Sequence, residues 1–317
     1  MVFLGYTGFI RCCSEPIMNK CLVTHIVPVV LLFLSCSSKQ QEDKIPQTAT
    51  SGELHVAVDE GFWPIMQQEK AVFEYIYKYA TLDYQRTSQE EAIRLLLLDS
   101  VRFAVTAREL TENELSYLKS KKVFPKTYVF AKDGLLLLTN KNSKDTAYTL
   151  SQLKEIAVGN KDGCQLVFEK NRSASLYSFV RLLKLENAKL AGIYSLDSAE
   201  SVVDYVSGHP NTIGVLGSSW FSEQESGRVQ SWLAKVNIAS VSANGREYWK
   251  PFQSEIADSL YPFARPIYLI SRESQMSLAD GYAAFLLGEK GQRIVLKSGL
   301  LPAKIPAREV VVSKKSF

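Results

Sequence analysis

Residues 127–140 read TYVFAKDGLLLLTN, and residues 261–271 read YPFARPIYLIS. Both are rich in aromatic, β-branched and leucine residues, and each is longer than an ordinary strand of about 5–6 residues. The first stands between two blocks in which short strands alternate with helices, and the second follows the later block. Two α/β blocks joined by two long strands imply two lobes with paired crossovers.

The first block reads outward from there. GELHVAV (Gly52–Val58) alternates and is bounded by Gly, which predicts a strand. In the next stretch Ile65, Phe73, Ile76 and Tyr77 recur at helical spacing. Pro64 sits near the start of that helix, where a missing N–H is harmless. LDYQRT predicts a strand, and SQEEAIRLLLLDS a helix opened by Ser88 with Glu91 three places on. VRFAVTA predicts a strand and TENELSYLKSK a helix with Thr111 and Glu114 as its capping box. This β-α-β-α-β-α order marks an α/β lobe with a largely parallel sheet. After the capped helix TLSQLKEIAVGN, a second α/β run occupies about Lys161 to Asn244. It holds the helices SASLYSFVRLLKL and SAESVVDYVSG and the buried strand TIGVLG. The last element, LADGYAAFLLGEKGQRIVLKSG, reads as a helical segment.

The chain has 317 residues, of which 46% are hydrophobic and 22% charged, enough for a sizeable core and more than one lobe. Its net charge of +4 is spread without a basic block, so no nucleic-acid partner is indicated. Only three His occur, and four of the five Cys lie in the first 36 residues, leaving Cys164 as the thiol of the folded part. No metal or cofactor is called for. There is no Gly-x-Ser-x-Gly elbow, Walker loop or His-Glu-x-x-His, and His55 and His209 read as structural, so an enzyme is not expected.

LLFLSCSSKQ (Leu31–Gln40) explains the cysteine-rich start. Met18-Asn19-Lys20 is a short positive region, Leu22–Leu34 an apolar run too short to span a bilayer, and Ser35 a small residue before Cys36. The pattern resembles a bacterial lipoprotein signal, with Phe33 where Leu is usual. The resemblance implies a signal peptide over 1–35, with Met18 as the expected start. Cys36 becomes the lipid-attachment site, and residues 36–51 a polar, lipidated tether.

Seven segments of the exported part, in order, resemble the PstS-like phosphate-binding proteins of bacterial ABC transporters. They are AVTARELTENE, AKDGLLLLTN, YTLSQLKEIAVGN, NRSASLYSFV, HPNTIGVLGSSW, YPFARPIYLI and FLLGEKGQRIVLKSGLLPA. The fold implied is a two-lobed α/β periplasmic-binding-protein-like clamp with two crossover hinge strands. Lobe 1 would comprise 52–130 and 262–317, and lobe 2 residues 131–261.

The same resemblance implies a ligand loop at Asn171–Ser175, with the Arg172 guanidinium and the Ser173 and Ser175 hydroxyls facing an anion. A helix N-terminus of this kind offers N–H groups and a favourable dipole. Gly61 and Phe62 would add backbone N–H groups from lobe 1, and Thr106 and Arg108 a hydroxyl and a guanidinium. The bland reading of the pentapeptide is a Ser-capped surface helix, and Ala174 stands where the family has Gly. The family's first loop is replaced by Asp59-Glu60, which repel an anion unless turned away or protonated, and suit an ammonium or sugar hydroxyl instead. Arg102 falls near the family's proton-accepting acid and has no acceptor. The expected function is capture of a small oxyanion, phosphate foremost, for an ABC-type permease at the bacterial cell envelope. The alternative is a PstS-like lipoprotein that has lost phosphate binding and serves an envelope complex as an interaction or sensor subunit.

Overall fold

β4 (Lys126–Asn140) runs through both halves of the molecule. Its first half pairs antiparallel with β10 (Ala264–Ser271), from Lys126 opposite Ser271 to Gly134 opposite Ala264. Its second half pairs antiparallel with β8 (Thr212–Gly217) and β9 (Val236–Ser242). The computed structural model describes residues 46–161, 163–223, 225–273 and 276–306. The signal segment, Cys36 and most of the expected tether lie outside them.

In lobe 1, β1 (Ser51–Asp59) lies parallel between β2 (Tyr79–Thr87) and β3 (Phe103–Thr106). In lobe 2, β6 (Gln165–Glu169) lies parallel between β7 (Ile193–Leu196) and β8. The strand order β2-β1-β3-β10-β4-β8-β6-β7 shows the two lobes meeting at β10 and β4. Short β5 (Ala147–Thr149) joins β9, and β11 (Leu301–Pro302) joins β4.

The helices begin where local chemistry dictates. α1 (Trp63–Ile76) carries Pro64 in its first turn. Ser88 caps α2 (Gln89–Leu97), and Thr111 with Glu114 forms the capping box of α3 (Glu112–Ser120). Thr149 and Gln152 do the same for α4 (Leu150–Val158), which ends on Gly159 in the left-handed region at φ 86°. α5 (Ala174–Leu182), α6 (Ala199–Gly208) and α7 (Gly227–Lys235) start on Ser173, Ser198 and Ser226. α7, β9 and the short α8 (Gln253–Ala257) go beyond the elements expected from the sequence.

Three differences from expectation have local causes. The strand expected from Tyr261 starts at Ala264, because Tyr261 and Phe263 turn into the lobe 2 core and the Tyr261 hydroxyl donates to Leu135 O at 2.5 Å. The terminal helical segment is two helices, α9 (Leu278–Leu287) and α10 (Glu289–Lys297), broken by extended Gly288. Buried Gln292 stitches the break, its Nε2 donating to Leu286 O at 2.8 Å and to Phe130 O at 3.1 Å. Finally, the end of the expected tether is structured: Thr48 bridges Ser51, and the Ala49 carbonyl packs so closely on Gly281 of α9 that a Cβ there would stand 1.7 Å from it.

The lobe 1 core gathers Val56, Val58, Phe62, Ile65, Phe73, Phe103, Leu269 and Tyr282. Lobe 2 has one core on each face of its sheet, around Phe168, Phe179 and Phe263 on one side and Trp220 and Trp232 on the other. Ala174, the first residue of α5 in lobe 2, packs within the lobe 1 core.

Candidate functional site

Ser173 has extended backbone and its Oγ accepts from the Leu176 N–H at 3.3 Å, which fixes the start of α5. The loop before it turns on Arg172, which adopts the left-handed φ of 59°. Ala174 is therefore simply helical, and its methyl meets no backbone conflict of the kind a left-handed position would impose. The α5 N-terminus points at the single helical turn Glu60–Phe62 that follows β1.

Asp59 joins these two pieces. Its Oδ1 accepts from the Gly61 N–H of its own turn at 2.9 Å. Its Oδ2 accepts from the Ala174 N–H of lobe 2, also at 2.9 Å. The Gly61 carbonyl in turn accepts from the Ser219 Oγ of lobe 2 at 2.6 Å. Asp59, Ser173, Ser175 and Ser219 are all fully buried.

Arg265 of β10 lies against this junction. Its Nε and Nη2 hold Asp133 of β4 at 2.7 and 3.1 Å, its Nη1 donates to Ser175 Oγ at 3.2 Å, and its guanidinium sits 4.7 Å from the Phe62 ring centre. Ser175 Oγ donates to Glu169 Oε1 at 2.5 Å, while buried Glu169 Oε2 has no hydrogen-bond partner among the described residues. Glu60 is buried too and is held by both arms of Arg86, whose guanidinium lies near the Trp63 and Trp220 rings.

Burial pushes the Asp59 carboxyl up to about 6, against the pull of the Ala174 and Gly61 N–H groups and Arg265. Burial pushes Glu169 further, to about 8, so it is mainly protonated at neutral pH. Burial also raises Asp133, with Arg265 countering. For Arg265 burial opposes the charge, and Asp133, Asp59 and Glu169 outweigh it. At neutral pH the cluster thus holds two matched pairs, Glu60 with Arg86 and Asp133 with Arg265, plus one further negative charge on Asp59. The partial positive charge of the α5 N-terminus lies opposite that carboxylate.

Of the residues expected to bind an anion, Gly61, Phe62, Ser173 and Ser175 come together here. Arg172 does not: its side chain is 70% exposed and reaches Glu90 of lobe 1 at 3.4 Å. The left-handed turn that frees Ala174 swings Arg172 outward. Arg108 is engaged by Glu114 at 2.8 Å, and the Thr106 hydroxyl donates to the Arg108 carbonyl at 2.8 Å. Asp59 does not turn away; it takes the N–H groups itself. Arg102, expected near an acid's position, is an exposed strand-end residue paired with Asp99 and Glu273.

The sequence reading missed Arg265, Asp133, Glu169 and Ser219. Three of them left a visible signal, a charged residue inside an apolar run: AKDGLLLL, LVFE and FARPIYLI. Beside the cluster opens a cavity of about 620 Å³ between the lobes, lined among others by Arg108, Tyr177, Arg181, Arg265 and Tyr268.

The chain is similar in structure to several solved proteins. One, from Clostridium perfringens and solved with bound phosphate, is assigned as a phosphate ABC transporter substrate-binding protein. It is 20% identical with a TM-score of 0.66, over 80% of this chain and 100% of that one. An ABC-type phosphate transport receptor from Vibrio cholerae is 18% identical with a TM-score of 0.60, over 79% of this chain and 100% of that one. PstS from Borrelia burgdorferi is 20% identical with a TM-score of 0.50, over 79% and 98%. No curated protein sequence matches the chain. These likenesses establish the two-lobed clamp. The PBP_like_2 family model, a PBP superfamily domain, matches residues 45–290, and the chain belongs to that superfamily.

Proposed function

We propose that this protein is an extracytoplasmic solute-binding protein that closes on a small oxyanion, phosphate foremost, and presents it to an ABC-type permease. The observation that carries the reading is the carboxylate seat at the α5 N-terminus. There an oxyanion group already accepts one N–H from each lobe, from Gly61 and Ala174. The proposed ligand shell is Gly61, Phe62, Ser173 and Ser175, with Arg265, already paired to Asp133, beside it. The names of the similar solved proteins support phosphate as the anion to try first. Capture would proceed by hinge motion about β4 and β10. Lipid anchoring through Cys36 is part of the proposal and rests on the sequence pattern. Among the described residues no helix is long and apolar enough to cross a membrane.

A second reading is favoured by the acids Asp59 and Glu169 inside the seat: the protein has given up phosphate and serves an envelope complex as an interaction or sensor subunit. Calorimetric titration of phosphate into protein that has been unfolded, stripped and refolded decides between them. Saturable binding at micromolar or tighter affinity supports capture. A flat trace with phosphate and other oxyanions supports the second reading.

A further inference from the structure

We propose that Asp59 is the clamp's resident ligand: its carboxylate, carried by lobe 1, fills the oxyanion seat of lobe 2 and holds the lobes together, so that a solute anion enters only by displacing it. The inference rests on reading the α5 N-terminus as an oxyanion seat.

Bonding supports this role. A solute anion closes a two-lobed clamp by accepting donors from both sides, and Asp59 does the same with the Gly61 and Ala174 N–H groups at 2.9 Å each. Charge supports it as well. Glu60 and Asp133 are each neutralised by a guanidinium, whereas Asp59 is hydrogen-bonded to backbone N–H groups. Asp59 is thus the carboxylate that backbone donors of both lobes hold.

Packing around the seat is close. A Cβ placed on Gly61 would lie 3.1 Å from Arg265 Nη2 and 3.2 Å from both Asp59 Oδ1 and Ser175 Oγ. A Cβ on Gly217 would lie 2.8 Å from Arg265 Nη2 and 2.9 Å from the Gly61 carbonyl. The Gly61 and Ala174 N–H groups are already taken by Asp59, so an anion that used those donors would have to displace its carboxylate. A tethered competitor acts at an effective concentration in the millimolar range, which sets how strongly a free anion must bind to win. Asp59 is thereby a specificity-determining residue. It rejects weak anions and keeps the clamp closed when solute is scarce.

The experiment compares purified, stripped wild-type protein with Asp59→Ser, which removes the carboxylate and leaves a small hydroxyl. The isosteric Asp59→Asn serves as a second variant should the first fail to fold. Small-angle scattering reads closure, and calorimetry with inorganic phosphate, then sulfate, reads affinity. The expected result is a compact wild type, an expanded Asp59→Ser that contracts when phosphate is added, and phosphate affinity at least tenfold higher in the variant. A variant as compact as wild type, with unchanged affinity, overturns the proposal and leaves the oxyanion reading standing. A variant that expands and binds neither anion overturns the oxyanion reading and keeps Asp59 as the residue that holds the lobes.

Discussion

Arg265 of β10 and Asp133 of β4 grip each other through two hydrogen bonds, 2.7 Å and 3.1 Å long, where the two connecting strands run side by side. Their side chains are 2% and 0% exposed. Removing one partner from a buried pair leaves an uncompensated charge, a loss of about 3–5 kcal/mol. Arg265→Met is therefore expected to lower unfolding free energy by that amount in urea titration. The double variant Arg265→Met with Asp133→Leu should recover much of it, since an apolar pair of similar volume is often no worse.

Gly217 tests how close the lobes are. A methyl there meets Arg265 Nη2 at 2.8 Å and the Gly61 carbonyl at 2.9 Å, across the lobe boundary. Gly217→Ala is expected to destabilise the closed form by about 1–3 kcal/mol, as overpacking does. Gly227→Ala is the control, because a Cβ at Gly227 meets nothing within 4 Å. Its melting temperature should match wild type, while that of Gly217→Ala falls.

Glu69 of α1 gives the pH dependence an unusual sign. It is fully buried in lobe 1, and its two oxygens have no hydrogen-bond partner among the described residues. Burial pushes its carboxyl up to about 9 from an ordinary 4.5. Between those values the native state keeps a proton that the unfolded chain has released. Stability then falls as pH rises, by up to about 1.4 kcal/mol per pH unit. Burial of Asp59 and Glu169 acts in the same direction, up to about 6 and about 8 respectively. Thermal melts from pH 5 to 9 should show declining stability, and Glu69→Met should flatten the slope and raise the melting temperature at pH 8. A wild-type curve that rises with pH would contradict the burial argument.

Arg172 was the most persuasive anion ligand in the sequence, yet it is exposed and makes a 3.4 Å contact with Glu90. Exposed ion pairs are worth about 0–1 kcal/mol. Arg172→Ala is expected to change phosphate affinity less than about fivefold, by calorimetry. A loss of a hundredfold or more would return Arg172 to the ligand shell.

The two long strands, the caps at Ser88, Thr111 and Thr149 and the α/β alternation were legible because each is a local pattern. The two-lobed plan followed from them. The oxyanion seat was half legible. Gly61, Phe62, Ser173 and Ser175 could be placed because they flank a strand end and a helix start. Arg265, Asp133 and Glu169 could not, because their meaning depends on which strands become neighbours. The place of Asp59 in the seat could not be read for the same reason. Nothing within GELHVAVDEGF tells that the Ala174 N–H, 115 residues away, will meet its carboxylate. The break at Gly288 was missed because a single glycine in an apolar run does not by itself end a helix.

Ala174 belongs by chain connectivity to lobe 2, yet it packs within the lobe 1 core, the one that holds Phe62, Ile65 and Ile267. An apolar core that borrows an atom from the neighbouring lobe cannot melt while that neighbour stays intact without losing part of its own packing. The two halves are thus coupled in the closed form. Heat should take them apart in one cooperative transition, and only a molecule whose lobes have already separated can show two.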